Sequence, residues 1–559
     1  MESVAAKEIS ESLLDDTDDS TFNSASNLAH IEQALCNMFR EESIGVDTVP
    51  RCGDCKCGNC SVGKKTMSLK NERLYELFRS NMVYDEHGTK EDPGPYWRSK
   101  LPFLIDRHDL ADNKKQVLGV VNSTARRLNK NQEWRFAYEK QLLDLINKGY
   151  AREVYEDEID SFVKSGGKIY YIAHQMVEDQ QNKTTPVRVV FNSSQNCGGN
   201  SLNKSLEVGP DIMQDLPGVL LRFREDYVAA MGDIKKMFYG IRVSLEDQFM
   251  QLWCWQFAGE KNLRTFAMTR LVMGNGPSTA ISIIAVKETT NLFNFATQYP
   301  DAKETLCRNS YVDNVNIGAD SHEELRRKIG EVEYVAGKGG HVFKPWIISG
   351  DKTAGEMVIG PFPECVNSLT EKNLGIYWNV TEDVLRICPD LSYGGNRRSG
   401  KGKSIVPYLD NFEKFCGLGL MLRDCLSIHA KCYTPLGLAL PVKMRGNILF
   451  RKSLQYLKVT CPGGKSPIQW DTVVPVELLQ EWFEYFLDLH NLKDITFPRC
   501  SKPKNVDSSI LPTLVTFSDG NEEAFGTVAY ALYTLTDGSK KSCLLASKAK
   551  LCHLHTSQR

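Results

Sequence analysis

The sequence predicts an α+β protein of several domains, and three observations predict it. The chain has 559 residues, more than a single hydrophobic core organises, so about two to four domains are expected. The N-terminal part repeats apolar residues at helical spacing, whereas residues 514–546 fall into short runs broken by turn residues, the pattern of antiparallel strands. Between them, two short apolar runs each place an aspartate at a strand end: Val228-Ala229-Ala230-Met231 leads to Asp233, and Tyr311-Val312-Asp313-Asn314 forms a tight turn before Val315 and Ile317.

The composition is that of an ordinary globular protein, with 42% hydrophobic and 25% charged residues. A formal net charge of −2 excludes a global basic field, so nucleic acid would have to be met by a local groove. No apolar run approaches the roughly 18 residues that span a bilayer, and no membrane partner is expected. The N-terminus is acidic and lacks a basic leader with an apolar core, so no signal peptide is expected. The 17 Cys then read as reduced thiols of a cytoplasmic or nuclear protein.

Residues 1–50 are an acidic, Ser/Thr-rich lead, expected to be disordered apart from one short helical pattern at 29–39. In the Cys-rich segment 51–66, Cys52, Cys55, Cys57 and Cys60 place four thiols within nine residues. Thiolates are donors for Zn²⁺, but a structural site separates two C-x₂-C knuckles by about a dozen residues or more. Reduced surface thiols are the alternative.

Residues 67–165 are expected to be helical. The stretch 133–146 repeats apolar residues at i, i+3 and i+4 and stops at Lys148-Gly149, after an earlier turn at Asp92-Pro93-Gly94-Pro95. Residues 168–173 and 186–191 read as the two strands of a hairpin. Arg188 on the second is a solvent-facing charge or, if it faces a site, a bidentate clamp for phosphate. Asp233 and Asp313 either punctuate turns or, if their strands are neighbours, share a divalent cation.

Arg270 to Pro277 is a glycine-bearing loop before a helix near Ser278, with Ser278 or Thr279 as its cap. A charged helix at 322–333, Lys344 on a loop and a strand at 374–378 follow. Residues 391–404 are a Gly-rich basic linker. There Gly400-Lys401 lacks the Ser or Thr that completes a phosphate-binding loop, and Gly464-Lys465-Ser466 has Val459 where that loop needs Gly. Residues 405–500 read as largely helical. Residues 510–559 contain a three-stranded antiparallel meander whose first strand ends at Asp519.

Many of these motifs resemble, in order, the reverse transcriptase of BEL/Pao retrotransposons. They include Thr185-Pro186-Val187-Arg188-Val189-Val190-Phe191-Asn192, Ser201-Leu202-Asn203, Gly209-Pro210-Asp211, Gly232-Asp233-Ile234-Lys235-Lys236-Met237-Phe238 and Asn309-Ser310-Tyr311-Val312-Asp313, and the resemblance extends from about Arg51 to about Lys550. It implies a polymerase right hand. The N-terminal part of the fingers would occupy 67–165, fingers and palm 166–390, and thumb and connection 405–500. The palm would be a sheet with helices on one face, and a partial ribonuclease H-like α/β domain would occupy 510–559.

The implied activity is RNA-directed DNA synthesis by two-metal nucleotidyl transfer. Mg²⁺ or Mn²⁺ would be the cofactor, and an RNA or DNA template–primer and dNTPs the partners. Asp233, the Ile234 carbonyl and Asp313 would hold metal, with Asn314 beside them. Lys344 would protonate the leaving pyrophosphate, and Arg188 would clamp the triphosphate. Phe238 would exclude a ribose 2′-hydroxyl, and Gly274 would let backbone approach the base pair. Asp519 would be the first carboxylate of a ribonuclease H site, whose further carboxylates do not follow before Arg559.

The family has Asp at position 314, so Asn314 removes a charge and makes a catalytically dead remnant that at most binds nucleic acid one alternative. A Pao polyprotein fragment associated with aspartic peptidase activity is another. Asp16-Thr17 is followed by Asp18 rather than Gly, which speaks against it.

Overall fold

A computed structural model describes residues 67–90, 92–178, 187–350, 370–373, 376–394, 402–460 and 470–552. The four clustered cysteines, the helical pattern at 29–39 and residues 395–401 of the Gly-rich linker lie outside the described residues.

Helix α1 (Leu69–Ser80) leads into a hairpin of β1 (Met82–Asp85) and β2 (Tyr96–Ser99), followed by α2 (Lys114–Leu128), α3 (Gln132–Asn147), β3 (Ala151–Glu153) and α4 (Glu156–Lys164). The stretch expected to be helical therefore contains three strands. Met82-Val83-Tyr84-Asp85 is too short to show a helical period, and its partner, the buried Tyr96-Trp97 pair, lies beyond the Asp92–Pro95 turn. Helix α3 forms as expected. The Asn131 side chain accepts from the backbone N–H of Glu133 and Trp134 at 3.0 and 3.2 Å, and Tyr138, Leu142 and Leu145 line its buried face.

The expected hairpin is present as β4 (Ala173–Glu178) and β5 (Val187–Asn192), but it starts later, because Tyr170, Tyr171 and Ile172 are spent in the core beside Leu252. Then come α5 (Leu216–Phe223), β6 (Val228–Asp233), β7 (Arg242–Val243), α6 (Leu245–Gln248), β8 (Leu252–Trp255), β9 (Arg264–Met268), α7 (Ser278–Thr289), α8 (Phe295–Gln298) and α9 (Pro300–Arg308). Next are β10 (Ser310–Tyr311), β11 (Asn314–Ala319), α10 (His322–Lys338) and β12 (Ile347–Ile348). The cap expected from Ser278 is not formed; its hydroxyl is buried and donates to the Val272 carbonyl at 2.7 Å.

The sheet that organises the molecule has the order β10-β11-β6-β12. Strand alternation divides it cleanly. Ala230, Val315, Ile317 and Ala319 face a core built with α7, α9 and α10, whereas Ala229 and Met231 face a second core. The sheet thus carries helices on one face, as expected, and a second apolar layer on the other.

That second core contains β14 (Ile376–Asn379) of a sheet formed with β13 (Thr370–Asn373), β15 (Val384–Arg386) and, later in the chain, β18 (Thr496–Pro498). The strand expected at 374–378 is therefore the second arm of a hairpin. A small ribbon of β16 (Ser392–Tyr393) and β17 (Lys403–Ser404) precedes the helices α11 (Phe412–Cys416), α12 (Leu422–Ala430), α13 (Leu440–Thr460) and α14 (Val476–Asn491). The meander is β19 (Thr513–Gly520), β20 (Ala524–Thr534) and β21 (Lys540–Leu551), antiparallel throughout. Among the described residues no helix is long and apolar enough to cross a membrane, and the described cysteines are free thiols.

Two buried arginines join these layers. The Arg499 side chain, 0% exposed, forms a two-pronged pair with Asp383 at 2.6 and 2.8 Å. It also donates to the carbonyls of Phe223, Asp226 and Tyr227 at 2.8–2.9 Å. Arg224 donates to the Leu545 and Leu544 carbonyls of β21 at 2.7 and 3.0 Å. Arg499→Met would strand the Asp383 charge and three carbonyls, so urea unfolding should show a loss of about 3 kcal/mol or more. Adding Asp383→Asn, which suits the left-handed backbone there (φ 54°), should restore part of it.

Three buried histidines set an acid limit. Tyr138 Oη lies 2.6 Å from His174 Nδ1, and His174 Nε2 lies 3.0 Å from the Cys254 carbonyl, so Nε2 carries the proton. His429 is held alike between Tyr485 Oη at 2.6 Å and Asn447 Oδ1 at 2.7 Å, and neither His341 nitrogen has a partner. Burial pushes all three down to about 4. Because the folded values lie below the unfolded one of about 6.5, the stabilisation is complete above that pH and is lost as pH falls towards 4. Below pH 7 the unfolding free energy should fall by up to about 1.4 kcal/mol per pH unit for each histidine; equal stability at pH 5 and pH 7.5 would contradict this.

Candidate active site

Strand β6 is buried because Val228-Ala229-Ala230-Met231 is apolar on both faces, and Asp233 is its last residue. Strands β10 and β11 form a hairpin whose two-residue loop is Val312-Asp313. Only the first loop residue has positive φ (Val312, 57°), the mark of a type II′-like turn that matches strand twist. A β-branched residue there is strained by roughly 1–3 kcal/mol.

Strands β11 and β6 pair so that Asn314 lies directly opposite Asp233. Cross-strand partners share a face at about 5 Å between Cβ atoms, so the Asn314 amide neighbours the Asp233 carboxylate on the face away from α7, α9 and α10. The Ile234 N–H donates to the Asp313 carbonyl at 2.8 Å, which ties the turn to the end of β6. Ile234 bridges to Phe343 on its other side through the bonds of Lys344 N to Asp233 O and Lys235 N to Val342 O. Its own carbonyl is therefore directed, like its N–H, towards the Asp313 turn.

Lys344 Nζ lies 3.0 Å from Asp233 Oδ1. Asp313 is half-buried, and its carboxyl is pushed above the usual range by that burial and then by the Asp233 charge, with Lys344 opposing. Two carboxylates, one ammonium and a neutral amide leave the cluster with about one net negative charge. Asn314 Oδ1 is buried and accepts no hydrogen bond. The donors are hard oxygens, which suits Mg²⁺ or Mn²⁺, although among the described residues no group of three or more His, Cys, Asp or Glu converges.

The other expected residues fall into a second group. Phe238, half-buried, sits in the 3₁₀ turn Met237–Gly240 just after β6, packed on the N-terminal core. Arg188 is exposed on β5, on a separate two-stranded sheet. Gly274 is joined to that strand: a Cβ there would lie 2.5 Å from the Phe191 carbonyl oxygen. Asp519 is exposed on β19 and accepts from the Gly520 N–H at 2.8 Å. It is not brought to the other carboxylates.

Two further groups support the site. Asn203 donates to the Gly274 carbonyl and accepts from the Gly276 N–H, both at 2.9 Å, and so pins the loop. Its motif, Ser201-Leu202-Asn203, carried no readable role because the bond spans distant segments. Trp346 covers Gly232, where a Cβ would meet its ring at 2.6 Å.

Residues 422–558 match the family model described as "Pao retrotransposon-like RNaseH-like domain". The match begins within the helical region 405–500 and runs through the meander. The match takes in about a quarter of the chain, and that C-terminal part is similar to the ribonuclease H-like domain of Pao retrotransposons, in keeping with the resemblance of the motifs.

Among solved structures, the foamy viral protease-reverse transcriptase dRH in complex with double-stranded DNA is 12% identical, with a TM-score of 0.41, over 74% of this chain and 54% of that one. The foamy viral protease-reverse transcriptase in complex with RNA/DNA hybrid is 14% identical, with a TM-score of 0.37, over 71% and 42%. The chain therefore spans about half the length of these viral proteins. No curated protein matches it.

The paired glycines of the loop provide a test. Gly274→Ala forces Cβ against backbone that cannot swing aside and should cost at least about 1 kcal/mol in thermal or urea unfolding. Gly276→Ala, whose Cβ would meet nothing closer than 3.7 Å, should be tolerated.

Proposed function

We propose that this chain is an RNA-directed DNA polymerase of a BEL/Pao-like retroelement, acting on an RNA or DNA template–primer with dNTPs. The observation that carries this reading is the juxtaposition of Asp233 at the end of β6 with the Val312-Asp313 turn, with Lys344 on Asp233. Asp233, the Ile234 carbonyl and Asp313 would hold Mg²⁺ or Mn²⁺, with the unpartnered Asn314 oxygen as a weaker fourth donor. Bound there, divalent metal would supply charge stabilisation at the attacking and leaving oxygens. Lys344 would give a proton to the departing pyrophosphate. Phe238, five residues beyond Asp233, would set the deoxyribose preference, Arg188 would contact the triphosphate, and Gly274 would carry the base pair past backbone. A cytoplasmic or nuclear location belongs to the same reading.

Asn314 favours a second reading, a remnant that binds nucleic acid without extending it. Lys344 already cancels one of two carboxylate charges, and the amide adds none. Primer extension on a poly-A template decides between them. The chain should extend weakly in Mg²⁺ and better in Mn²⁺, and Asp233→Asn and Asp313→Asn should abolish extension. Asn314→Asp should raise it at least about tenfold, equivalent to about 1.4 kcal/mol of transition-state stabilisation. No extension by either the natural chain or Asn314→Asp, in either metal, would establish the remnant.

A further inference from the structure

A cleft of about 1000 Å³ lies between the β1–β2 hairpin, the end of α3, β3, β7 and residues 269–270. None of Asp233, Asp313, Asn314 and Lys344 lines it. Six of its lining residues are cationic (Arg98, Lys100, Lys148, Arg152, Arg242 and Arg270), against one carboxylate, Asp92.

On its floor, Arg242 and Arg270 share that carboxylate. Arg242 Nε lies 2.8 Å from Asp92 Oδ2, and Arg270 Nη2 lies 2.9 Å from Asp92 Oδ1. Two guanidinium groups on one carboxylate leave a positive charge over, and the fork geometry is the one that also recognises phosphate. Arg270 is 5% exposed, and its Nε and the Arg152 Nη2 are both buried without an acceptor. Each such orphan N–H costs about 1–3 kcal/mol until an acceptor arrives.

At the rim, the Arg98 and Lys148 side chains are each 46% exposed, and Lys100 is exposed without an ion pair among the described residues. The carboxylates that partner Arg98, Lys148 and Arg152 (Asp85, Asp144 and Glu158) do not line the cleft. Among the described residues, the one aromatic ring in the cleft, Tyr96, is covered by Arg242 at 3.8 Å. No ring face is left for a base, so recognition falls on phosphates and is indifferent to sequence.

We propose that this cleft is a second nucleic-acid contact, taking the phosphate backbone of a single strand outside the Asp233–Asp313 site. The positive charge runs from exposed rim to buried floor across separate segments, which suits an extended polyanion better than one compact anion. The choice of a nucleic-acid strand rests on the retroelement reading.

The test uses the full chain and a labelled 12-nucleotide single-stranded DNA in fluorescence anisotropy. The double variant Lys100→Gln/Lys148→Gln should bind at least about tenfold more weakly. The slope of log affinity against log salt should drop by about 1.4, two contacts at about 0.7 each for a single strand. Arg308→Gln/Lys414→Gln, which removes two exposed charges elsewhere (60% and 61%), should bind normally. The assay contains no dNTP and reads no primer extension, so a failed polymerase reading would leave this result standing. Equal losses in the two double variants, no loss in either, or displacement of the strand by micromolar tripolyphosphate would overturn the proposal.

Discussion

The register between β6 and β11 is the constraint on which the rest depends. Side chains alternate across a strand, so a slip of one residue would exchange the two faces of the whole sheet. In the observed register, Val315, Ile317 and Ala319 enter the core under α7, α9 and α10. The same register sets Asn314 opposite Asp233 and brings the Asp313 carbonyl to the Ile234 N–H. Burial of three aliphatic side chains thus positions two carboxylates. The hydrophobic term is large enough to hold the strain at Val312 and the repulsion between Asp233 and Asp313, since a fully buried Val or Ile side chain such as Val315 or Ile317 contributes about 1.5–3 kcal/mol.

Charge within the molecule is managed locally. Lys344 partly neutralises the aspartate pair, and two arginines share Asp92 in the cleft. Arg499 closes the second core on Asp383 and on the three carbonyls at and after the end of α5. This last arrangement also places a cation at a helix C-terminus, where the dipole favours it. Because Arg224 reaches β21 from the same corner, the meander is fastened to the approach to β6, and the position of the Asp233 strand is coupled to residues more than 250 positions later in the chain.

Local physics made several elements legible in advance. The apolar run of β6, the β10–β11 turn, the Asn-capped periodic helix α3 and the turn-rich meander each carry their own signal, and each formed. The short strands β1, β2 and β3 carry no such signal, because three or four residues beside a helical segment show no distinct period and their pairing is decided elsewhere. The Ser278 cap was misread for a similar reason, as its hydroxyl found a carbonyl across a loop once buried. The resemblance of motifs to BEL/Pao reverse transcriptases extends over most of the chain, whereas the family match covers 422–558. The residues for which polymerase roles are proposed lie outside that match, so the proposal rests on geometry and motif.

The sequence by itself determined which carboxylates end strands, that position 314 carries an amide, that no long apolar span exists, and the α+β class, because these follow from residue type and short-range period. Only the tertiary structure decided that β6 and β11 are neighbours in a register that sets Asn314 against Asp233, that Lys344 reaches that carboxylate, that Asp519 stands apart, and that six cations from separate segments line one cleft. These are long-range pairings, whose partners are selected by the packing of the whole core.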